Sequence, residues 1–244
     1  MPWRKTRDVY KILVSEVMLQ QTQVERVAPF YNTFTRKFPT AKKLAAAPLS
    51  AVLKSWQGLG YNRRAKMLHN AAKELAVRKV KSVPELEALP GVGPYTARAV
   101  AAFAWNKGDV FVETNIRTAV IHHFFPKKKK VSDKDIEKIL AQALPKGRAR
   151  EWYSALMDYG AYLKRSGVSH NAKSRTYMKQ SKFVGSLREA RGAILREVAL
   201  GAASSAYLVD LLGADRRAQM RTALRALFAE GLVGKEGESY TLAD

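Results

Sequence analysis

Leu89-Pro90-Gly91-Val92-Gly93-Pro94-Tyr95-Thr96-Ala97 is the stretch from which the fold class is read. Helix-patterned sequence lies on both sides, Val83–Ala88 before it and Tyr95–Trp105 at its end. Two glycines one residue apart let the backbone turn sharply and leave no Cβ between the main-chain amides and a ligand. Those amides open a helix, where free N–H groups and the helix dipole favour an anion such as a DNA phosphate. Taken alone, a Gly-x-Gly between helices is equally an ordinary turn.

Outward from this turn, helical periodicity dominates. Val9–Val27 places Ile12, Leu13, Val17, Val24 and Val27 at helical spacing, and the aromatic run Phe30, Tyr31, Phe34 and Phe38 carries the pattern past Pro29 to Pro39. Further helices are expected over Ala41–Ala47, Leu49–Trp56, Arg63–Val77, Asn115–Phe124, Asp133–Ala143 and Glu151–Lys164, with Gly and Pro at the joins. Strand-like sequence is scarce, and Val110-Phe111-Val112 reads equally as extended chain. Residues 166–185 turn polar and basic, with Lys173, Arg175, Lys179 and Lys182, and read as a linker or a strapped-down coil. Beyond them Leu187–Leu200, Ala206–Leu212 and Arg216–Ala229 read as three helices, and Leu232–Leu242 as a terminal hairpin. That outline is winged-helix-like, although many small helical modules share it.

The chain has 244 residues, with 43 Lys and Arg against 21 Asp and Glu, a net charge of +22. At 47% hydrophobic residues it has the material for a core, which excludes global disorder. No apolar run approaches the ~18 residues of a membrane span. The start, Met1-Pro2-Trp3-Arg4, has the pattern of neither a signal peptide nor a presequence. Cys is absent, which rules out disulfides, thiolate zinc sites and Cys-ligated iron–sulfur clusters and fits a cytoplasmic setting. The charge points first to a nucleic acid and second to an acidic membrane surface. Lys127-Lys128-Lys129-Lys130 reads as a solvated loop, and Arg63, Arg64, Lys66, Lys164 and Arg165 could track phosphates. The adjacent His122 and His123 lack ligand partners at helical spacing and read as helix packing.

A second stretch, Val14-Ser15-Glu16-Val17-Met18-Leu19-Gln20-Gln21-Thr22-Gln23-Val24, sets one carboxylate in an apolar helical run. Periodicity alone makes Glu16 an exposed helix residue; partial burial would instead raise its pKa and suit it to general-acid work. A third, Phe111-Val112-Glu113-Thr114-Asn115-Ile116-Arg117, holds another carboxylate where a helix begins.

The hairpin string resembles that of the helix-hairpin-helix DNA glycosylase superfamily. The Glu16 string is similar, nearly residue for residue, to the MutY-type adenine glycosylase segment that carries the catalytic glutamate. Met1–Arg4 and Gly58-Leu59-Gly60-Tyr61-Asn62-Arg63-Arg64-Ala65 look like two further MutY-type segments, in order. The resemblance covers residues 1–165. It implies a mainly α helix-hairpin-helix glycosylase core over 1–165; beyond it, 166–185 reads as a basic linker in place of the family's iron–sulfur loop, and the winged-helix-like module over 186–244 replaces the family's C-terminal domain. It implies duplex DNA with a mismatch or lesion as partner, no membrane, a monomer, and cytoplasmic localisation, nucleoid-associated in a prokaryote. Glu16, protonated, would donate to a ring nitrogen of a flipped-out base, and Glu113, ionised, would stabilise the oxocarbenium-like sugar and the incoming water.

Residue by residue, the resemblance makes Glu113 the essential carboxylate, where the family normally has Asp, with Asn115 beside it. One added methylene displaces the carboxylate by an amount that can cost ~100-fold in rate. Tyr95 stands where bifunctional relatives carry a Schiff-base Lys, so base removal should leave an intact abasic site. Gln21 and Tyr61 match residues that wedge into the stack, and Trp3 and Arg4 match a segment lining the base pocket. Gly91, Val92, Gly93 and Arg63 would meet the DNA backbone. No iron–sulfur cluster can form; a monovalent cation on the hairpin is compatible. The expected activity is excision of adenine opposite guanine or 8-oxoguanine. The alternatives are a thymine or uracil mismatch glycosylase and a non-catalytic lesion or abasic-site binder.

Overall fold

The computed structural model describes residues 1–174, 180 and 182–244. Of the basic linker residues, Lys173 and Lys182 are described, while Arg175 and Lys179 lie outside the described residues.

The chain is mostly helical. A short 3-10 turn, Pro2–Lys5, precedes α1 (Val9–Leu19), α2 (Val24–Lys37), α3 (Ala41–Ala45), α4 (Leu49–Trp56), α5 (Arg63–Val77) and α6 (Val83–Glu87). The hairpin leads into α7 (Pro94–Trp105), followed by α8 (Thr114–Phe124), α9 (Asp133–Ala143) and α10 (Ala149–Arg165). The C-terminal unit comprises α11 (Leu187–Leu200), β1 (Ala203–Ser204), α12 (Ser205–Asp210), α13 (Arg217–Ala229), β2 (Val233–Glu236) and β3 (Ser239–Leu242). Its antiparallel sheet has the order β1-β3-β2, with Val233 opposite Leu242 and Ala203 opposite Tyr240. Three helices with this small sheet give the winged-helix-like outline. Val110–Val112 is extended chain without sheet partners.

Two hydrophobic clusters organise the fold. The first joins α1–α7 to the C-terminal unit; the second gathers Phe111, α8, α9 and the first half of α10. The alanine-rich α7 serves both, giving Ala97, Val100 and Ala101 to the first and Ala99 and Ala102 to the second. Small side chains on the faces toward both clusters let the two bodies approach this helix closely.

One expectation is corrected. Val9–Val27 is not one helix: α1 stops at Leu19, Gln21 takes φ +57°, and α2 starts at Val24. The reason lies far off in the sequence. Arg64 donates to the carbonyls of Val17 (2.8 Å), Met18 (3.0 Å) and Gln20, taking up the last carbonyls of α1 so that the chain can turn.

The segment after α10 is strapped to the second cluster. Val131 N–H donates to Lys173 O (2.8 Å), Lys173 Nζ to Pro126 O (2.7 Å) and Lys130 Nζ to Ala172 O (2.9 Å). His122 Nδ1 and His170 Nε2 lie 3.2 Å apart. The tetralysine loop is thus partly engaged, through Lys130 and through Lys128, which pairs with Asp135.

Gly160 marks the closest helix contact: a Cβ there would stand 2.0 Å from the carbonyl oxygen of Asn115. Only hydrogen at this position lets α10 lie against the start of α8. Gly160→Ala should lower stability by about 1–3 kcal/mol or more, the range for overpacking a tight contact. Gly192→Ala, also inside a helix but with nothing closer than Arg196 Nη1 at 3.9 Å, should gain about 0.5–1 kcal/mol. Urea unfolding of the two variants checks the contrast.

Candidate active site

Three elements meet where the two clusters join. α1 brings Glu16, the start of α7 brings Tyr95, and the start of α8 brings Glu113 and Asn115. Tyr10 and every residue from Ile12 to Met18 are buried, because α2, α5 and α7 cover α1 on all sides. Glu16 is only 5% exposed, so the exposed reading of its helix position is excluded.

Tyr95 OH donates to Glu16 Oε2 at 3.2 Å, and its ring packs edge-on against Phe111. Burial pushes the Glu16 carboxyl up to about 7, the Tyr95 hydrogen bond opposes that rise, and the negative charge of Glu113 adds to it. The Tyr95 hydroxyl is itself pushed well up, by burial and by both carboxylates, so it stays a donor at any ordinary pH.

Glu113 is the N-cap of α8. Its Oε2 accepts from Asn115 N–H at 2.6 Å and Ile116 N–H at 3.4 Å. The added methylene is taken up by this cap, in which the longer side chain folds back onto the helix amides. Burial raises its pKa; the Asn115 amide and the Lys164 ammonium hold that rise down. Lys164 Nζ donates to Asn115 Oδ1 at 2.8 Å, so the ammonium sits one side chain away from the carboxylate. Among the described residues neither Glu16 Oε1 nor Glu113 Oε1 has a hydrogen bond, and the one fully buried side-chain atom without a partner is His69 Nε2. The second oxygens of both carboxylates therefore keep a path to solvent or to a ligand.

The other sequence-predicted residues fall into two places. Gln21, Tyr61, Arg63, Gly91 and Val92 line a cavity of about 440 Å³ bounded by α1, α5, the hairpin and the C-terminal unit. Neither Glu16 nor Glu113 lines it. Gly91 needs its φ of +75° and its missing side chain, since a Cβ would lie 2.5 Å from Met67 Cβ; Gly93 is the N-cap of α7. Arg4 is close enough to Glu16 to draw its pKa down, and donates to Asp158 Oδ1 at 2.8 Å. Trp3 instead packs in the core, edge-on to Tyr31 with ring centroids 5.3 Å apart.

Sequence reasoning placed Lys164 and Arg64 among phosphate-tracking cations, whereas Lys164 stands beside Glu113 and Arg64 is spent on main-chain carbonyls. Asp158 was missed as the partner of Arg4. No signal in the sequence marks these contacts, which join residues 42 to 154 positions apart. The chain has no Cys, and the strap of residues 168–174 holds its place by hydrogen bonds.

The chain is similar to known proteins over much of its length. The profile of the HhH-GPD superfamily, described as base excision DNA repair proteins, matches residues 14–146. An adenine DNA glycosylase of Mycolicibacterium smegmatis is 34% identical over 258 residues, covering 96% of this chain and 87% of that protein. An adenine DNA glycosylase of Mycobacterium tuberculosis is 40% identical over 169 residues, covering 66% of this chain and 56% of that protein, so here the match spans little more than half of the relative. Among solved structures, a thermostable thymine-DNA glycosylase is similar with a TM-score of 0.59 and 30% identity, over 66% of this chain and 77% of that one. With the profile spanning more than half of its length, the chain belongs to the HhH-GPD superfamily of base excision DNA repair proteins.

Proposed function

We propose that this protein is a monofunctional DNA glycosylase that removes adenine mispaired with guanine or 8-oxoguanine. The observation that carries the reading is the pair of buried carboxylates on separate elements, Glu16 accepting from Tyr95 and Glu113 capping α8, with burial raising the Glu16 carboxyl to about 7. The adenine preference rests on the likeness to the M. smegmatis enzyme over almost the whole chain.

In this reading a nucleotide leaves the duplex at a cost of a few kcal/mol and its base meets Glu16. Tyr95 occupies Glu16 Oε2, which leaves Oε1 to carry the acidic proton. Transfer of that proton to a ring nitrogen lets the base leave with the electron pair of the glycosidic bond. The positive charge that develops on the sugar is stabilised by Glu113, which the α8 amides and Lys164 help to keep ionised. Water then adds to the sugar carbon and gives its proton to Glu113, as in glycoside hydrolysis by paired carboxylates. Two carboxylates in one desolvated site resist ionising together, so one holds a proton while the other carries charge. At the hairpin position Tyr95 offers no amine, so the product is free base and an intact abasic site.

Duplexes with A opposite G, A opposite 8-oxoguanine, T opposite G and U opposite G, followed by alkali, test the assignment. Alkali-dependent nicks at adenine are expected. Nicks at thymine would move the activity toward that of the structurally similar thymine-DNA glycosylase. Tight binding without nicks, unchanged by Glu16→Gln, would make the protein a lesion binder.

Single-turnover excision should fall above pH about 7, as Glu16 loses its proton. Glu16→Gln should slow it by at least ~100-fold with duplex binding retained. Because the folded-state pKa of Glu16 is raised above 4.5, its stabilising protonated form is complete below that pH and is lost as pH climbs through about 7. Glu16→Gln should therefore melt above the wild type at pH 8, with the gap closing by pH 5.

Glu113→Asp should retain activity within about tenfold, since Asp is a strong N-cap and reaches the same amides. A loss of ~100-fold or more would mean that the site is fitted to the longer side chain.

A further inference from the structure

Among the described residues only three other than glycine have positive φ: Gln21 (+57°), Tyr61 (+48°) and Asn106 (+59°). Asn106 closes α7 as its left-handed C-cap, a place where Asn is commonly found. Gln21 takes the left-handed place just after the C-cap of α1, which glycine usually fills, and Tyr61 caps no helix end; a left-handed aromatic residue persists only where its surroundings over-determine it. They stand on two different loops that line one cavity.

Two arginines hold these loops. Arg64 Nη1 donates to Val17 O, Met18 O and Gln20 O, and Arg64 Nη2 to Thr22 Oγ1 (3.2 Å), Leu59 O (3.3 Å) and Gly60 O (3.1 Å). One guanidinium thus ties the residues on both sides of Gln21 to those just before Tyr61. It makes no ion pair among the described residues; its donors go to main-chain oxygens and one hydroxyl, a task for a planar fork rather than a lysine ammonium.

The second arginine comes from the C-terminal unit. Arg188, on α11, lies 5.5 Å from the Tyr61 ring centroid and donates to Tyr61 OH at 3.2 Å, while Arg64 lies 5.4 Å from the same ring. Gln180 also donates to Tyr61 OH. The unit is fixed close by, where Lys66 Nζ donates to Glu230 O (2.6 Å) and Gly231 O (3.1 Å) and Arg191 forms a bidentate pair with Glu230. Yet Tyr61 remains 36% exposed. A ring held by cations from two units but left open to solvent is built to be presented, not to fill a core.

We propose that Arg64 and Arg188 are positioning residues that hold Gln21 and Tyr61 ready to enter a DNA stack, so that the C-terminal unit takes part in everting the target nucleotide through Arg188. This rests on the glycosylase reading. Preorganisation removes from the binding step the cost of ordering two loops as the base leaves.

The test places 2-aminopurine at the target position of a duplex, where unstacking raises its fluorescence, and uses Glu16→Gln protein so that no base is lost. A rise on binding is expected, and adding Arg188→Met should reduce it at least about fivefold. In protein with Glu16 intact, Arg188→Met should slow excision from a paired duplex about tenfold more than excision of a base facing an abasic analogue, which everts cheaply. Arg64→Lys should act in the same direction. If Arg64→Lys lowers the melting temperature sharply, Arg188→Met decides, because its side chain can be changed without opening the core. An undiminished fluorescence rise in Arg188→Met, or equal slowing on both substrates, overturns the proposal. Eversion without excision by the wild type would sink the glycosylase reading and leave this one standing.

Discussion

Everything at the site depends on keeping one carboxyl group away from water. Glu16 sits on a helix covered by α2, α5 and α7, and among the described residues its one hydrogen bond comes from Tyr95. An ionised carboxylate in that place would need several donors or a paired cation; a neutral acid needs neither. The packing of α1 against α7 therefore sets the protonation state. Any change that lets water between those helices changes the chemistry before it changes the fold.

Glu113 solves the opposite problem with different means. It too is buried, but it caps α8, and the amide of Asn115 at 2.6 Å with the nearby Lys164 gives its charge a home. The dipole of α8 works in the same sense. Burial raises both carboxyls, but against that rise Glu113 has helix amides and the Lys164 ammonium, whereas Glu16 has the Tyr95 hydroxyl and the charge of Arg4. The Glu16 arrangement is the less stable above neutral pH, and the remainder of the core has to offset it.

The parts legible in the sequence are those encoded locally. Gly91 and Gly93 announce a turn wherever they occur, and the second cluster follows from apolar spacing in α8 and α9. The break after Leu19 was not legible, because its cause is Arg64, a residue 44 positions beyond Gln20 that takes up the end of α1. Local periodicity saw continuous apolar spacing from Val9 to Val27 and could not see a guanidinium arriving from another helix. The same holds for Gly160, whose necessity is defined by the backbone of Asn115, and for Lys164, which reads as a surface cation until α10 lies against α8. Trp3 is held by local packing instead, its ring edge-on to Tyr31 in the first cluster.

Charge distribution gives the C-terminal unit its place in this scheme. Residues 186–244 contain eight Lys and Arg and eight Asp and Glu, so the net +22 of the chain lies entirely in residues 1–185. Long-range attraction to a polyanion belongs to the core, and salt would screen it there. A neutral unit adds little to that pull. Many of its charges are instead used internally, as Arg191 with Glu230 and Arg216 with Glu189. What it contributes is short-range and geometric: a wall of the cavity at the tip of α1 and one more guanidinium beside an exposed aromatic ring. In the glycosylase reading, capture and reading of DNA are thereby separated in the molecule, the first spread over the basic core and the second concentrated where the two units meet.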